Sequence, residues 1–196
     1  MNVRTSTRRL TLAAVFMALN IVMSSFGIPV PGGHLYMNDI IICTAALLFD
    51  PVSAFLIGGV GAFLGDLFFY PTPMFVSLVT HGVQAVVISL FAMWSRRIAY
   101  ATESDVATDT AKKRFFTPYK CSILISALGV TVGAVIMVVG YSLGRAFIYS
   151  TPEYAWLKLP YQIAQALVGA VLGMVLCYGV HLDRVFNRYI RQGRAA

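Results

Sequence analysis

Apolar residues in this chain run together in long blocks, separated by clusters of charge and by breaks rich in Pro and Gly. A helix needs about 20 mainly apolar residues to cross roughly 30 Å of hydrocarbon. On that scale the blocks predict six spans, at about 8–27, 39–49, 51–69, 75–95, 120–144 and 159–181. The second is too short to cross alone unless protein shelters its ends. Asp50-Pro51 divides it from the third as a tight turn, and a single re-entrant hairpin is the alternative. The first block, "STRRLTLAAVFMALNIVMSSFG", is longer than a signal-peptide core and has no small-residue cleavage site after it, so it is read as a span.

Composition agrees with this reading. The 196 residues are 58% hydrophobic and 12% charged, against about 25% charged in soluble domains. The expected fold is all-α and integral to the membrane: one domain over 1–196, six transmembrane helices, and a multi-pass place in the cell membrane. The net charge of +7 is distributed as a topology signal. All but two of the 15 Lys and Arg, the exceptions being Arg145 and Lys158, fall on the side shared by both termini and the 96–119 loop. The positive-inside rule then places N and C termini in the cytoplasm. No groove for nucleic acid is implied, and the basic tail "HLDRVFNRYIRQGRAA" suits anionic lipid. Cys43, Cys121 and Cys177 lie within apolar runs without Cys-x-x-Cys spacing, which argues against a metal site or a disulfide framework.

Helices in lipid pack closely through small residues four apart. Such pairs are Ala14/Ala18, Gly61/Gly65, Gly129/Gly133, Gly140/Gly144 and Gly169/Gly173. Most are expected to be internal seams, and one near the cytoplasmic end of the first span is a candidate surface for another protein.

Strongly polar groups within spans are functional candidates because each is costly unless partnered. Here they gather toward the outer half: Asp66 near the end of span three, His81 and Gln84 one turn apart in span four, Tyr141 and Arg145 at the end of span five, and Gln162 and Gln165 after Pro160 in span six. His34 and Asn38 join them from the loop "GIPVPGGHLYMND", which with "YPTP" has the composition of a lid over a small amphipathic ligand. Gln165 is the strongest candidate for a ligand donor and acceptor. Asp66 has a structural alternative as a helix cap or a partner of Arg145, and His81 as an interhelical hydrogen bonder. Trp156 is expected beside the binding face. There is no His-Glu-x-x-His and no Gly-Lys-Ser/Thr, and the Gly-x-Ser-x-Gly at Gly140–Gly144 falls in an apolar span and not on a strand-to-helix turn, so neither a hydrolase nor an ATPase is indicated and no cofactor is implied. A self-sufficient secondary transporter would need titratable groups along a through-pathway, and a ligand-free scaffold would leave Gln162 and Gln165 without a purpose.

The stretch "GGHLYMNDIIICTAALLFDPVSAFLIGGVGAFLGDLFFYP", followed by "GYSLGRAFIY" and "LPYQIAQALVGAVLG", resembles the substrate-binding S component of energy-coupling factor (ECF) vitamin transporters, in the branch for hydroxymethylpyrimidine and pyridoxine. Riboflavin and pantothenate carriers are more distant. The resemblance implies a six-helix binding subunit that is not itself an enzyme. It would join a transmembrane coupling subunit (T component) and two ABC ATPase subunits, and would topple in the bilayer to release its vitamin inward. It also assigns Ala14 and Ala18 to partner docking. In the sixth span Gln162 stands where an Asn is common, which leaves the vitamin open.

Overall fold

The computed structural model describes residues 3–31, 33–106, 118–149 and 152–192. Within them α1 (Val3–Ser25) leads into a hairpin of β1 (Ile28–Val30) and β2 (Gly33–Leu35). Then come α2 (Asn38–Leu48), α3 (Pro51–Phe69), α4 (Met74–Val106), α5 (Pro118–Leu143, continued by a π-helical turn, Gly144–Ile148), α6 (Pro152–Gly179) and α7 (Leu182–Gln192). Among the described residues five helices are long and apolar enough to cross a membrane, and α2 is a shorter apolar helix beside them. Large apolar side chains such as Leu10, Phe68, Phe75, Leu128 and Phe147 face outward. In water such a surface would aggregate, whereas in lipid it is the solvated face. The protein is an all-α integral membrane protein.

The length problem of α2 is solved by its surroundings. Eleven residues span about 16 Å, and nine of them are buried. Carbonyls at its C-terminal end are taken by neighbours: Arg96 Nη1 donates to Leu47 O at 2.7 Å, and Ser89 Oγ to Phe49 O at 2.7 Å. The core forms around this helix, with Ile42, Leu47, Ile57 and Ile88 at its centre. Phe49 is clasped edge-on by Phe16 of α1 and Phe186 of α7. The basic tail therefore does more than lie on lipid: α7 is pinned to α1, where Arg8 donates to Tyr189 O at 2.8 Å and covers its ring.

Four of the five small-residue pairs are internal seams. Gly129, Gly133, Gly140 and Gly144 of α5 meet Phe91, Ile88, Thr80 and Val76 of α4, Gly61 and Gly65 meet α1, and Gly169 and Gly173 meet α2. Ala14 and Ala18 alone are exposed. The polar segment after span four begins as helix, since α4 continues to Val106. The basic cluster Lys112, Lys113 and Arg114 lies outside the described residues.

Two features have no counterpart in the hydropathy pattern. The first is the hairpin, paired Ile28↔Leu35 and Val30↔Gly33, with Gly33 at φ +141°, where an L side chain is strained. The second is the π turn Leu56–Val60 in α3, where Asn20 Nδ2 of α1 donates to Ile57 O at 2.7 Å.

Asp50 caps α3, accepting from Ser53 N at 3.2 Å and Ser53 Oγ at 3.0 Å, with Pro51 at the first helical position. Arg9 lies 3.6 Å away. Partial burial alone would raise the Asp50 carboxyl; the Ser53 hydrogen bonds and Arg9 outweigh it and hold the group below the ordinary carboxylate range. A lowered folded-state value means the stabilisation is complete above the unfolded value, near 4, and is lost as pH falls through the folded value. Asp50→Ala should lower stability by about 1 kcal/mol at neutral pH, the usual effect of losing a cap. It should also remove this part of the acid sensitivity, as thermal denaturation at pH 7 and pH 3 would show.

Candidate functional site

Five helices, α2 to α6, and the segment after β2 bring their polar residues to one cavity. On α6, Lys158, Gln162, Gln165, Gly169 and Gly173 follow at intervals of three and four, so they form one stripe, and all five are buried. On α4, Ser77, His81 and Gln84 do the same and are also buried. The cavity between these stripes is lined by Tyr36, Asn38, Asp66, His81, Met137, Tyr141, Lys158, Gln162 and Gln165. About 330 Å³ of space not filled by atoms lies within it, open solvent at its mouth included.

Beneath the cavity Asp39 organises a buried network. Its carboxylate accepts from Gln165 Nε2 at 2.6 Å and from Gln84 Nε2 at 3.3 Å, and His81 Nδ1 stands 3.7 Å away. Position in the first turn of α2 suits a negative charge. Gln84 Oε1 lies 2.8 Å from His81 Nδ1. Since Gln84 uses its amino group on Asp39, its carbonyl accepts from His81, which leaves His81 Nε2 for another partner. Gln165 spends its carbonyl as well, accepting from Tyr36 N at 3.1 Å. Both ends of Gln165 are thus engaged within the protein, one on α2 and one on the segment after β2.

A second chain of hydrogen bonds runs along the wall. Ser77 Oγ donates to Asp66 Oδ2, and Tyr141 OH lies 2.5 Å from Ser77 Oγ. With the Ser77 proton committed to the carboxylate, Tyr141 is the donor to Ser77. Asp66 is therefore held by Ser77. Arg145 sits in the π turn after α5, within electrostatic reach of Tyr36, Tyr70, Tyr141 and Tyr149. Burial, then the charge of Asp66, pushes the Tyr36 hydroxyl up to about 12, so it remains protonated at physiological pH.

Against this background Gln162 stands apart. The residue is 2% exposed, yet among the described residues neither Nε2 nor Oε1 has a hydrogen-bond partner. Asn38 donates to Ser24 Oγ at 3.5 Å while its own Oδ1 is unsatisfied. More than nine in ten buried polar groups have partners, and leaving one without costs about 1–3 kcal/mol. An amide with both ends open in a cavity wall presents a donor and an acceptor side by side to the cavity.

Of the residues expected from sequence at a ligand site, the structure brings Gln162, Gln165, His81, Tyr141, Asp66 and Asn38 to the cavity wall. Gln84 lies one layer beneath. His34, on β2, packs its ring against Tyr36 just after the hairpin and Tyr70 at the end of α3, and Arg145 lies near the wall without lining it. Trp156 is 76% exposed and faces away from the cavity, because two residues, about 200° around the helix, separate it from inward Lys158. Sequence reasoning did not single out Asp39, Tyr36, Met137 or Lys158. A signal for Lys158 existed: it is four residues before Gln162 and thus on the same helix face.

Residues 4–181 match the family described as ECF-type riboflavin transporter, S component. The chain belongs to this family. As an S component it is a multi-pass membrane protein of a vitamin transport system, not an enzyme. It is 32% identical over 187 residues to the thiamine precursor transporter HmpT of Lactococcus lactis subsp. cremoris, covering 93% of each chain. An uncharacterized protein of Pyrococcus woesei is 29% identical over 153 residues, 77% of this chain and 86% of that protein.

Proposed function

We propose that this S component binds a single-ring aminopyrimidine, a precursor of thiamine, at the outer half of the membrane and delivers it inward in association with a T component and two ABC ATPase subunits. The observation that carries the reading is the open amide of Gln162. A carboxamide offers a donor and an acceptor side by side. An aminopyrimidine presents the complement, a ring nitrogen that accepts and an exocyclic amino group that donates. The same fork joins Asn or Gln to adenine. Met137, Tyr36 and Tyr141 supply apolar and aromatic walls. The thiamine precursor named for the Lactococcus lactis relative is consistent with this chemistry. The absence of a Gly-Lys-Ser/Thr motif in the sequence leaves ATP hydrolysis to partners.

Isothermal titration of the purified chain with 4-amino-5-hydroxymethyl-2-methylpyrimidine tests the proposal, with riboflavin, pantothenate and pyridoxine as comparisons. Saturable one-to-one binding of the aminopyrimidine is expected. Binding of riboflavin in its place would overturn the substrate assignment. Exposed Trp156 makes intrinsic fluorescence the poorer readout.

Docking of the T component is assigned to the exposed face of α1 around Ala14 and Ala18, where the lack of side-chain bulk permits close backbone approach. Ala14→Leu should leave titrated affinity unchanged and abolish co-purification with the coupling and ATPase subunits. Retained co-purification would remove this face from the interface.

A further inference from the structure

The least explained group in the cavity is Lys158. Its side chain is 6% exposed and lines the wall, yet among the described residues no carboxylate lies within ion-pair distance of it. Asp66 is near enough to be felt electrostatically, but is engaged by Ser77, whose hydroxyl Tyr141 in turn supports. Arg145 is a second positive group within reach of Lys158. The Lys158 amine lies over the hairpin, with Nζ 3.3 Å from where a Cβ on Gly33 would stand. Gly33 at φ +141° keeps that space clear. A buried lysine is ordinarily explained by a paired carboxylate. Here the hairpin, the glycine and the helix stripe hold the amine at the cavity without one.

We infer that Lys158 is a specificity-determining residue that selects ligands by charge, accepting a neutral hydroxyl or an anionic oxygen at this end of the cavity and rejecting a fixed or protonated cation. A ligand oxygen facing Nζ supplies the lone pairs that the amine lacks. A ligand cation at the same place adds a second positive charge in a low-dielectric pocket, where such repulsion is far stronger than in water. Exclusion of this kind discriminates without demanding tighter contacts to the preferred ligand. It separates a hydroxymethylpyrimidine from thiamine itself, whose pyrimidine carries a permanently positive thiazolium at the same carbon. The pyrimidine half of this statement rests on the proposed function; the charge rule does not.

The test uses two probes of equal size. The purified full-length chain is titrated with 4-amino-5-hydroxymethyl-2-methylpyrimidine and with its 5-aminomethyl analogue, which is an ammonium at neutral pH. Lys158 predicts a preference for the hydroxyl compound of about 100-fold, roughly the 3 kcal/mol expected of two unit charges about 5 Å apart at an effective dielectric constant near 20. Lys158→Met should cut the ratio to below about 10-fold, chiefly by tightening the ammonium compound, and Lys158→Arg should keep it. Equal binding of the two probes by the unaltered chain, or an unchanged ratio in Lys158→Met, overturns the inference. Should neither pyrimidine bind, the aminopyrimidine reading fails and the pair pyridoxine and pyridoxamine decides the charge rule: preference for pyridoxine, lost in Lys158→Met, upholds it, and any other result, including no binding, overturns it.

Discussion

Gln162→Leu is expected to abolish binding by the isolated chain, with affinity falling at least 100-fold, while the empty protein becomes more stable to heat. Both effects have one origin. In the empty cavity the Gln162 amide is desolvated with neither end satisfied, at about 1–3 kcal/mol for each group. Leucine of similar bulk has no polar atom to satisfy, so the folded state is relieved. At about 2–4 °C per kcal/mol for a chain of this size, a rise of several degrees in the unliganded melting temperature follows. The ligand loses two hydrogen bonds and must desolvate its own donor and acceptor against a methyl group. Gln165→Leu differs in kind. It severs Tyr36 N and Asp39 Oδ2 from their common partner, so affinity and stability should fall together. Titration calorimetry and a thermal shift assay on the two variants distinguish the roles. Undiminished affinity in Gln162→Leu would remove the amide from the site.

The second large effect concerns a residue that touches no ligand. A Cβ on Gly169 would stand 2.5 Å from Asp39 Cβ and 3.1 Å from its backbone carbon. Helix α2 is buried on nearly every side and has nowhere to retreat. Gly169→Ala must therefore wedge α6 from α2, with overpacking of about 1–3 kcal/mol. The 2.6 Å bond from Gln165 to Asp39 sits at this crossing. Ligand affinity should fall at least 10-fold along with the melting temperature. Gly179→Ala is the control, since its nearest neighbour would be 3.5 Å away, an ordinary contact. Equal behaviour of the two variants would show that the α2–α6 crossing does not position the site.

Much of the architecture was legible in the sequence. Each apolar block became a helix, and the short block 39–49 corresponds to α2, Asn38–Leu48. The hairpin was not legible: strands of three residues are too brief for alternation to register, and their pairing depends on Gly33 at positive φ. The cavity was half legible. Polarity at membrane depth marked His81, Asp66, Gln162 and Gln165, because any such group there requires a reason. Which of them is spent on the protein and which is left for a ligand was not, since Gln162 and Gln165 are chemically identical and differ only in what stands opposite. Lys158 was misplaced for a related reason. Counted along the chain it was one charge of an outer loop; on α6 it points inward while Trp156 points out.

The sequence by itself determined that the chain lives in a bilayer, where its helices run, and which small residues permit close approach. Those properties follow from hydropathy, helix length and the absence of side-chain bulk, each local to a few consecutive residues. Only the tertiary structure decided the rotation of each helix about its axis. Leucine facing lipid and leucine facing protein are nearly equal in free energy, so hydropathy cannot orient a helix that is apolar all round. Packing does. It turned Gly129, Gly133, Gly140 and Gly144 onto α4 and left Ala14 and Ala18 outside. It also joined Asp39 to Gln165 across 126 positions of chain and left the amide of Gln162 open.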